Sequence, residues 1–234
     1  MIIKKGFSMK KIGMLVAVEL DAVLRKFGTL LEPIHMEGFD VYEYQMEDAH
    51  IYVLSSGAGE ILAAAGTQLL ISVFQVDVII NFGVVGGLTK EMKLARTCVV
   101  EKVVHYDYDT SAVDECEPGR YMDEYPDVYI PTTKSLVEKA LVVEPKLKKV
   151  ICASGDKFIA DRSKKEQLHQ QYQADICEME AAGIVLTCNR NKVPCLLIKT
   201  VSDSISGGAE EFLQAIDQSA EICLEITQKI IQEL

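Results

Sequence analysis

Val76-Asp77-Val78-Ile79-Ile80-Asn81-Phe82-Gly83-Val84-Val85-Gly86-Gly87 reads as a strand buried on both faces that ends in a glycine cluster. Its apolar residues do not alternate with polar ones, which is the pattern of a strand covered by helices on both sides. Outward from it, helical and strand signals take turns. Residues 60–74 form an Ala- and Leu-rich helix before it, and residues 98–104 a strand after it. Further upstream, 12–16 is a short buried strand. The stretch 19–31 then carries apolar residues at 20, 23, 24, 27, 30 and 31, one face of an amphipathic helix closed by Pro33. Residues 41–45 and 51–54 read as a hairpin with Glu47-Asp48 near its turn. Downstream come a helix at 132–142, a strand at 150–154, a helix at 180–189 and a strand at 195–201. The last helix has apolar residues at 212, 216, 220, 223, 226, 230 and 234, in steps of four and three. This alternation predicts one α/β domain over 9–234, three-layered, with a central mixed, mostly parallel sheet flanked by helices. Residues 1–8 read as an N-terminal extension. The polar and aromatic stretch 105–131 reads as a long loop, which in a compact domain is usually functional or in contact with a partner.

Composition narrows the function. The 234 residues are 49% hydrophobic and 25% charged, ordinary for a globular protein. A net charge of −11 disfavours nucleic acid, which needs clustered Lys and Arg. No segment is long and apolar enough for a membrane span, and the start lacks the apolar core of a signal peptide. The seven cysteines are scattered, mostly within apolar runs and without CxxC spacing. That pattern predicts reduced, buried thiols in a cytoplasmic protein. His105-Tyr106-Asp107-Tyr108-Asp109 has one histidine and no second ligand at metal spacing, so no metal is expected. No GxGxxG follows a first strand and no GxSxG is present, which disfavours a dinucleotide cofactor and a serine triad.

Two acids stand where acids are costly. Glu180 heads the apolar run Ala181, Ala182, Ile184, Val185 and Leu186, and Asp203 ends the apolar strand before Ser204-Ile205-Ser206-Gly207-Gly208. Carboxylates beside buried segments are paired or used, and burial raises their pKa values. They are either helix caps or a proton donor and a sugar-hydroxyl acceptor. Three glycine clusters (Ser55-Ser56-Gly57-Ala58-Gly59, Gly83 to Gly87, and Ser154-Gly155-Asp156) also follow strands, where open α/β sheets bind ligands. Each is equally readable as turn chemistry.

Taken in order, Ile12-Gly13-Met14-Leu15-Val16-Ala17-Val18-Glu19-Leu20-Asp21, Val78 to Leu88, Ser154-Gly155-Asp156-Lys157-Phe158-Ile159, Cys177-Glu178-Met179-Glu180-Ala181 and Val201-Ser202-Asp203 resemble the methylthioadenosine/S-adenosylhomocysteine nucleosidases of the purine nucleoside phosphorylase superfamily. The resemblance implies hydrolysis of the N-glycosidic bond of 5′-substituted adenosines, with no cofactor or metal. It makes Asp203 the acid that protonates the adenine and Glu180 the acceptor of ribose hydroxyls. Met179 then packs on the sugar, Phe158 stacks on the purine, Ile159 reads its edge through the backbone, and Ser202 belongs to the Asp203 motif. It also implies a homodimer in which the 105–113 loop, with Val113, lines the neighbouring site.

The departures lie on the nucleophile side. The family's water-activating glutamate aligns with Asp21, its arginine with Lys199, and a turn serine with Val84. Val113 stands where relatives often carry a larger aromatic residue. Glu19 is a substitute for Asp21, although on a helix it faces about 200° away. Asp21 and Lys199 read as a compensated pair. The alternatives are phosphorolysis, for which the glycine turns offer no arginine, and a nucleoside-binding homologue with weakened catalysis.

Overall fold

A computed structural model describes residues 9–28, 32–36, 38–46, 49–122 and 124–234. The expected extension at 1–8, the far end of the first helix and the Glu47-Asp48 turn lie outside the described residues. In chain order the elements are β1 (Lys10–Val16), α1 (Leu20–Phe27), β2 (Ile34–Met36), β3 (Phe39–Gln45), β4 (Ala49–Ser55), α2 (Glu60–Ser72), β5 (Val78–Gly87) and β6 (Thr97–His105). They continue with α3 (Ser111–Asp114), β7 (Ile130–Pro131), α4 (Lys134–Val143), β8 (Lys148–Ser154), α5 (Arg162–Tyr172), β9 (Ile176–Glu178), α6 (Ala181–Asn191), β10 (Cys195–Asp203) and α7 (Ala209–Gln232).

The fold is α/β, with a central mixed sheet flanked by helices. Its longest ladders, β1–β4, β5–β10 and β6–β8, are parallel, while β2–β3, β3–β4, β5–β9 and β6–β10 are antiparallel. One half is an open run, β2-β3-β4-β1-β5. The other half closes on itself: β5 pairs with both β9 and β10, and β10-β6-β8-β9 complete a ring. Strand periodicity divides the core in two. Val78, Ile80 and Phe82 of β5 join one apolar cluster with α1, α4 and α7, whereas Ile79 and Val85 join another with α2 and α6. Wholly burying such a side chain contributes about 1.5–3 kcal/mol. That is why β5, flanked on both faces, carries no exposed polar alternation.

Three features differ from the sequence expectation. The glycine cluster after Phe82 is not a turn: β5 continues to Gly87, because β9 and β10 pair with it there, Gly86 opposite Cys177 and Asp203. Helix α5 has only Leu168 and Tyr172 as apolar residues, so it shows no stripe, and β9 is three residues long. The 105–131 stretch carries α3 and β7 within it. Among the described residues no helix is long and apolar enough to cross a membrane.

Candidate active site

A cavity opens beyond the carboxyl ends of the mutually parallel strands β1, β5 and β10, where α/β sheets bind ligands. Its walls are apolar, with Val18, Ala58, Val84, Val85, Phe158 and Phe212 among them, and its polar lining is mainly carboxylate: Glu19, Glu178, Glu180 and Asp203.

Asp203 is aimed into this space by a register shift in β10 between Val201 and Asp203. Opposite it, Gly86 leaves the room that a side chain needs: a Cβ there would stand 3.2 Å from Asp203 Oδ2. The carboxyl is buried and meets a wholly buried cation. Lys165 of α5, 0% exposed, donates to Asp203 Oδ2 at 2.5 Å and to the carbonyls of Ser204 and Gly207 at 2.7 and 3.2 Å. Burial pushes the Asp203 carboxyl up; the hydrogen bond and charge of Lys165 pull against that, and the balance stays above the usual carboxylate value.

Glu180 is the residue before α6, yet it does not cap that helix. Glu178 does: its carboxylate accepts the N–H of Glu180 at 3.1 Å and of Ala181 at 3.0 Å, meeting the orphan donors of the first turn. The Glu180 carboxylate instead accepts the Gly59 N–H at 2.9 Å. Burial first, and then the Glu178 charge, push it to about 7 despite Lys199 and the Gly59 bond.

Asp21 and Lys199 do not meet as a pair. Asp21 lies on the exposed side of the first turn of α1, outside the cavity lining, where an acid favours the helix dipole. The acid of this segment that lines the cavity is Glu19. It precedes the helix, so the helical rotation between positions 19 and 21 does not apply to it. Its Oε2 accepts the N–H groups of Ala17 and Val18 at 3.1 and 3.0 Å, and its Oε1 that of Val84 at 2.9 Å. Gly83 lets it approach, since a Cβ there would stand 2.8 Å from Oε1. Lys199 is buried and donates to Glu178 Oε2 at 3.2 Å. Burial disfavours its charge, but Glu178, Glu180 and Glu19 outweigh that and hold the ammonium up.

Met179 and Ser202 line the cavity, and the Ser202 hydroxyl donates to the Val85 carbonyl at 3.3 Å. Phe158, 46% exposed, stands edge-on to Phe212 at 5.2 Å between ring centroids. Ile159 borders an adjoining hollow together with Phe158, Met179 and Asp203. Val113 is 83% exposed on α3 and does not line the cavity of its own chain. The sequence reading missed Lys165 and Phe212. Only the Asp161 cap of α5, which accepts the Lys164 N–H at 3.0 Å, announces that helix locally.

Residues 11–234 match the family model of the phosphorylase superfamily. The chain belongs to that superfamily. Within the superfamily it is 32% identical over 233 residues to a 5′-methylthioadenosine/S-adenosylhomocysteine nucleosidase of Halalkalibacterium halodurans, covering 95% of this chain and 100% of that one. It is 30% identical over 233 residues to an aminodeoxyfutalosine nucleosidase of Helicobacter pylori, covering 97% and 100%. The native futalosine hydrolase structure of H. pylori superposes with a TM-score of 0.90 at 28% identity, over 97% of this chain and 99% of that one. This member of the superfamily is a nucleosidase, an enzyme that hydrolyses nucleosides.

Proposed function

We propose that the enzyme releases adenine from 5′-substituted adenosines, with Asp203 as the acid and Glu19, not Asp21, as the carboxylate that takes a proton from the attacking water. The observation that carries this reading is the convergence of Asp203, Glu180 and Glu19 on one apolar cavity. Asp203 donates a proton to N7 of the base, a role favoured by the upward push of burial on its carboxyl. The C1′–N9 bond breaks, its electron pair leaves with the base, and the sugar becomes oxocarbenium-like. Glu180 accepts the ribose hydroxyls and stabilises that charge. Water bonds to C1′ as its proton passes to Glu19, the carboxylate logic of glycoside hydrolysis. Phe158 stacks on the purine, Met179 packs on the sugar, and the Ile159 backbone reads the base edge. Ser202 steadies the Asp203 strand end.

Water is favoured over phosphate by the lining itself. Glu19, Glu178 and Glu180 repel an anion, Lys199 is engaged by Glu178, and the Val84 N–H is taken by Glu19. On this reading the enzyme serves nucleoside catabolism in the cytoplasm, methionine salvage when the substrate is a methylthio nucleoside. It works as a homodimer whose 105–113 segment, with exposed Val113, completes the neighbouring site. Base release from 5′-methylthioadenosine, S-adenosylhomocysteine and aminodeoxyfutalosine, in phosphate-free buffer and then with phosphate, tests it. Adenine and free sugar without phosphate are expected. A sugar 1-phosphate formed only with phosphate overturns the water assignment, and ligand-induced stabilisation without turnover points to a binding homologue.

A further inference from the structure

Behind the cavity floor, the start of α2 meets the start of α6 through polar groups that catalysis does not touch. The buried Glu60 carboxyl accepts the Gly183 N–H on Oε2 at 2.5 Å and contacts the Ser154 hydroxyl through Oε1. The same Ser154 oxygen is 2.6 Å from Glu178 Oε1 and accepts the Ala182 N–H at 3.0 Å. A serine hydroxyl carries one hydrogen and can donate to only one of two carboxyl oxygens. Glu178 is ringed by donors: the N–H groups of Glu180 and Ala181, the Lys199 ammonium at 3.2 Å and the Cys152 thiol at 3.6 Å. It is the acceptor for the Ser154 hydrogen. The contact on the other side then needs a hydrogen from Glu60, because two facing acceptors buried without one are costly.

We propose that Glu60 is held as a neutral carboxylic acid, donating its proton to Ser154, which donates in turn to Glu178, and that Glu60 is thereby a positioning residue for Glu180. The second clause rests on the ribose-binding role proposed for Glu180. The link is short. Gly59, the residue before Glu60, donates its N–H to Glu180 at 2.9 Å, so whatever fixes the start of α2 fixes that donor. Burial, then the charges of Glu178 and Glu180, push Glu60 to about 8 against the bonds from Ser154 and Gly183. The other groups facing this point are Lys199 of β10, Cys152 of β8, Asp156, which accepts the Glu60 N–H at 2.8 Å, and, farther off, Tyr106 and Tyr121. Ionising Glu60 would set a second anion against Glu178 and spread the junction that holds Gly59.

Glu60→Gln copies the neutral acid, with an amide N–H toward Ser154 and a carbonyl toward Gly183. Thermal midpoints of the wild type and this variant, measured without ligand across pH 4.5 to 9, test the proton alone. A raised carboxyl contributes stability that is complete below its unfolded value and is lost as pH rises to its folded value. The wild type should therefore fall relative to Glu60→Gln up to about pH 8 and run parallel to it above. Parallel curves throughout overturn the proposal. Should the variant not fold, infrared titration of the wild type serves. Among the protonated carboxyl bands at pH 7, one should disappear near pH 8 and shift in Ser154→Ala, as those of Asp203 and Glu180 would not. The absence of any band that shifts in Ser154→Ala overturns the proposal. The positioning clause is read from the ratio of kcat for the wild type to that for Glu60→Gln against pH, in which loss of the Asp203 proton cancels. The ratio should fall through about pH 8, with KM at pH 7 unchanged. A ratio flat across about pH 6 to 9 overturns this clause. If no nucleoside is turned over by the wild type, the function reading fails while the thermal and infrared results still decide the proton.

Discussion

Asp203 and Glu180 are both buried carboxyls at element ends, but their surroundings are built on opposite plans. Asp203 has a cation of its own: Lys165 is buried with it, bonded to it at 2.5 Å and tied to the backbone of the following turn. Glu180 shares its surroundings with Glu19, Glu60 and Glu178, and one lysine, Lys199, faces Glu19, Glu178 and Glu180 together. The Lys165 ammonium fixes the Asp203 carboxyl in place through short bonds to it and to the following turn. A cluster with more acids than cations can stay buried only by retaining protons. Rigidity therefore belongs to the Asp203 side and pH sensitivity to the Glu180 side.

The comparison breaks most visibly at Asp203. Asp203→Asn keeps the shape and removes the transferable proton, so turnover should drop by about 10²–10⁴-fold. Stabilisation by a bound adenine nucleoside analogue should survive, and near-normal turnover would refute the acid role. Next comes the cation. Lys165→Met leaves Asp203 buried without its partner and frees the turn at Ser204 and Gly207, which should cost about 3–5 kcal/mol in urea unfolding. A loss below about 1 kcal/mol would place the pair among weakly contributing surface bridges and remove the contrast between the two sides.

Much of this is legible in the amino-acid sequence. The double-sided burial of β5, the hairpin of β3 and β4, and the amphipathic face of α7 follow from periodicity, because packing sets which positions are apolar. Asp203 and Glu180 stand out because each borders an apolar run, Glu180 at its head and Asp203 at its end. What stayed hidden was carried by residues whose role depends on distant partners. Lys165 sits in Arg162-Ser163-Lys164-Lys165-Glu166, where nothing local separates a buried lysine from solvated ones. Glu60 stands in the first turn of α2, and only the approach of the end of β8 and the start of α6 gives it Ser154 and Gly183 as neighbours. The glycines after Phe82 read equally as a ligand site or a turn, because their use, leaving room for Glu19 and Asp203, is a tertiary matter.

The choice between Glu19 and Asp21 shows this limit best and supplies the two smaller tests. Aligned by motif, position 21 takes the water-activating role; placed in the fold, it faces solvent. Glu19 reaches the cavity because the chain has not yet entered α1, and three backbone N–H groups converge on its two oxygens. An amide can accept at one oxygen only and turns an NH₂ toward a donor. Glu19→Gln should therefore cost about 1–3 kcal/mol in stability and, with the proton acceptor gone, about 10²-fold in kcat. Asp21→Asn touches only an exposed first-turn position and should stay within about 0.5 kcal/mol of wild type, with turnover unchanged. Measured side by side, the two variants separate position in the motif from position in space. A large kcat loss in Asp21→Asn with Glu19→Gln unaffected would return the water to Asp21 and require α1 to start differently around bound substrate.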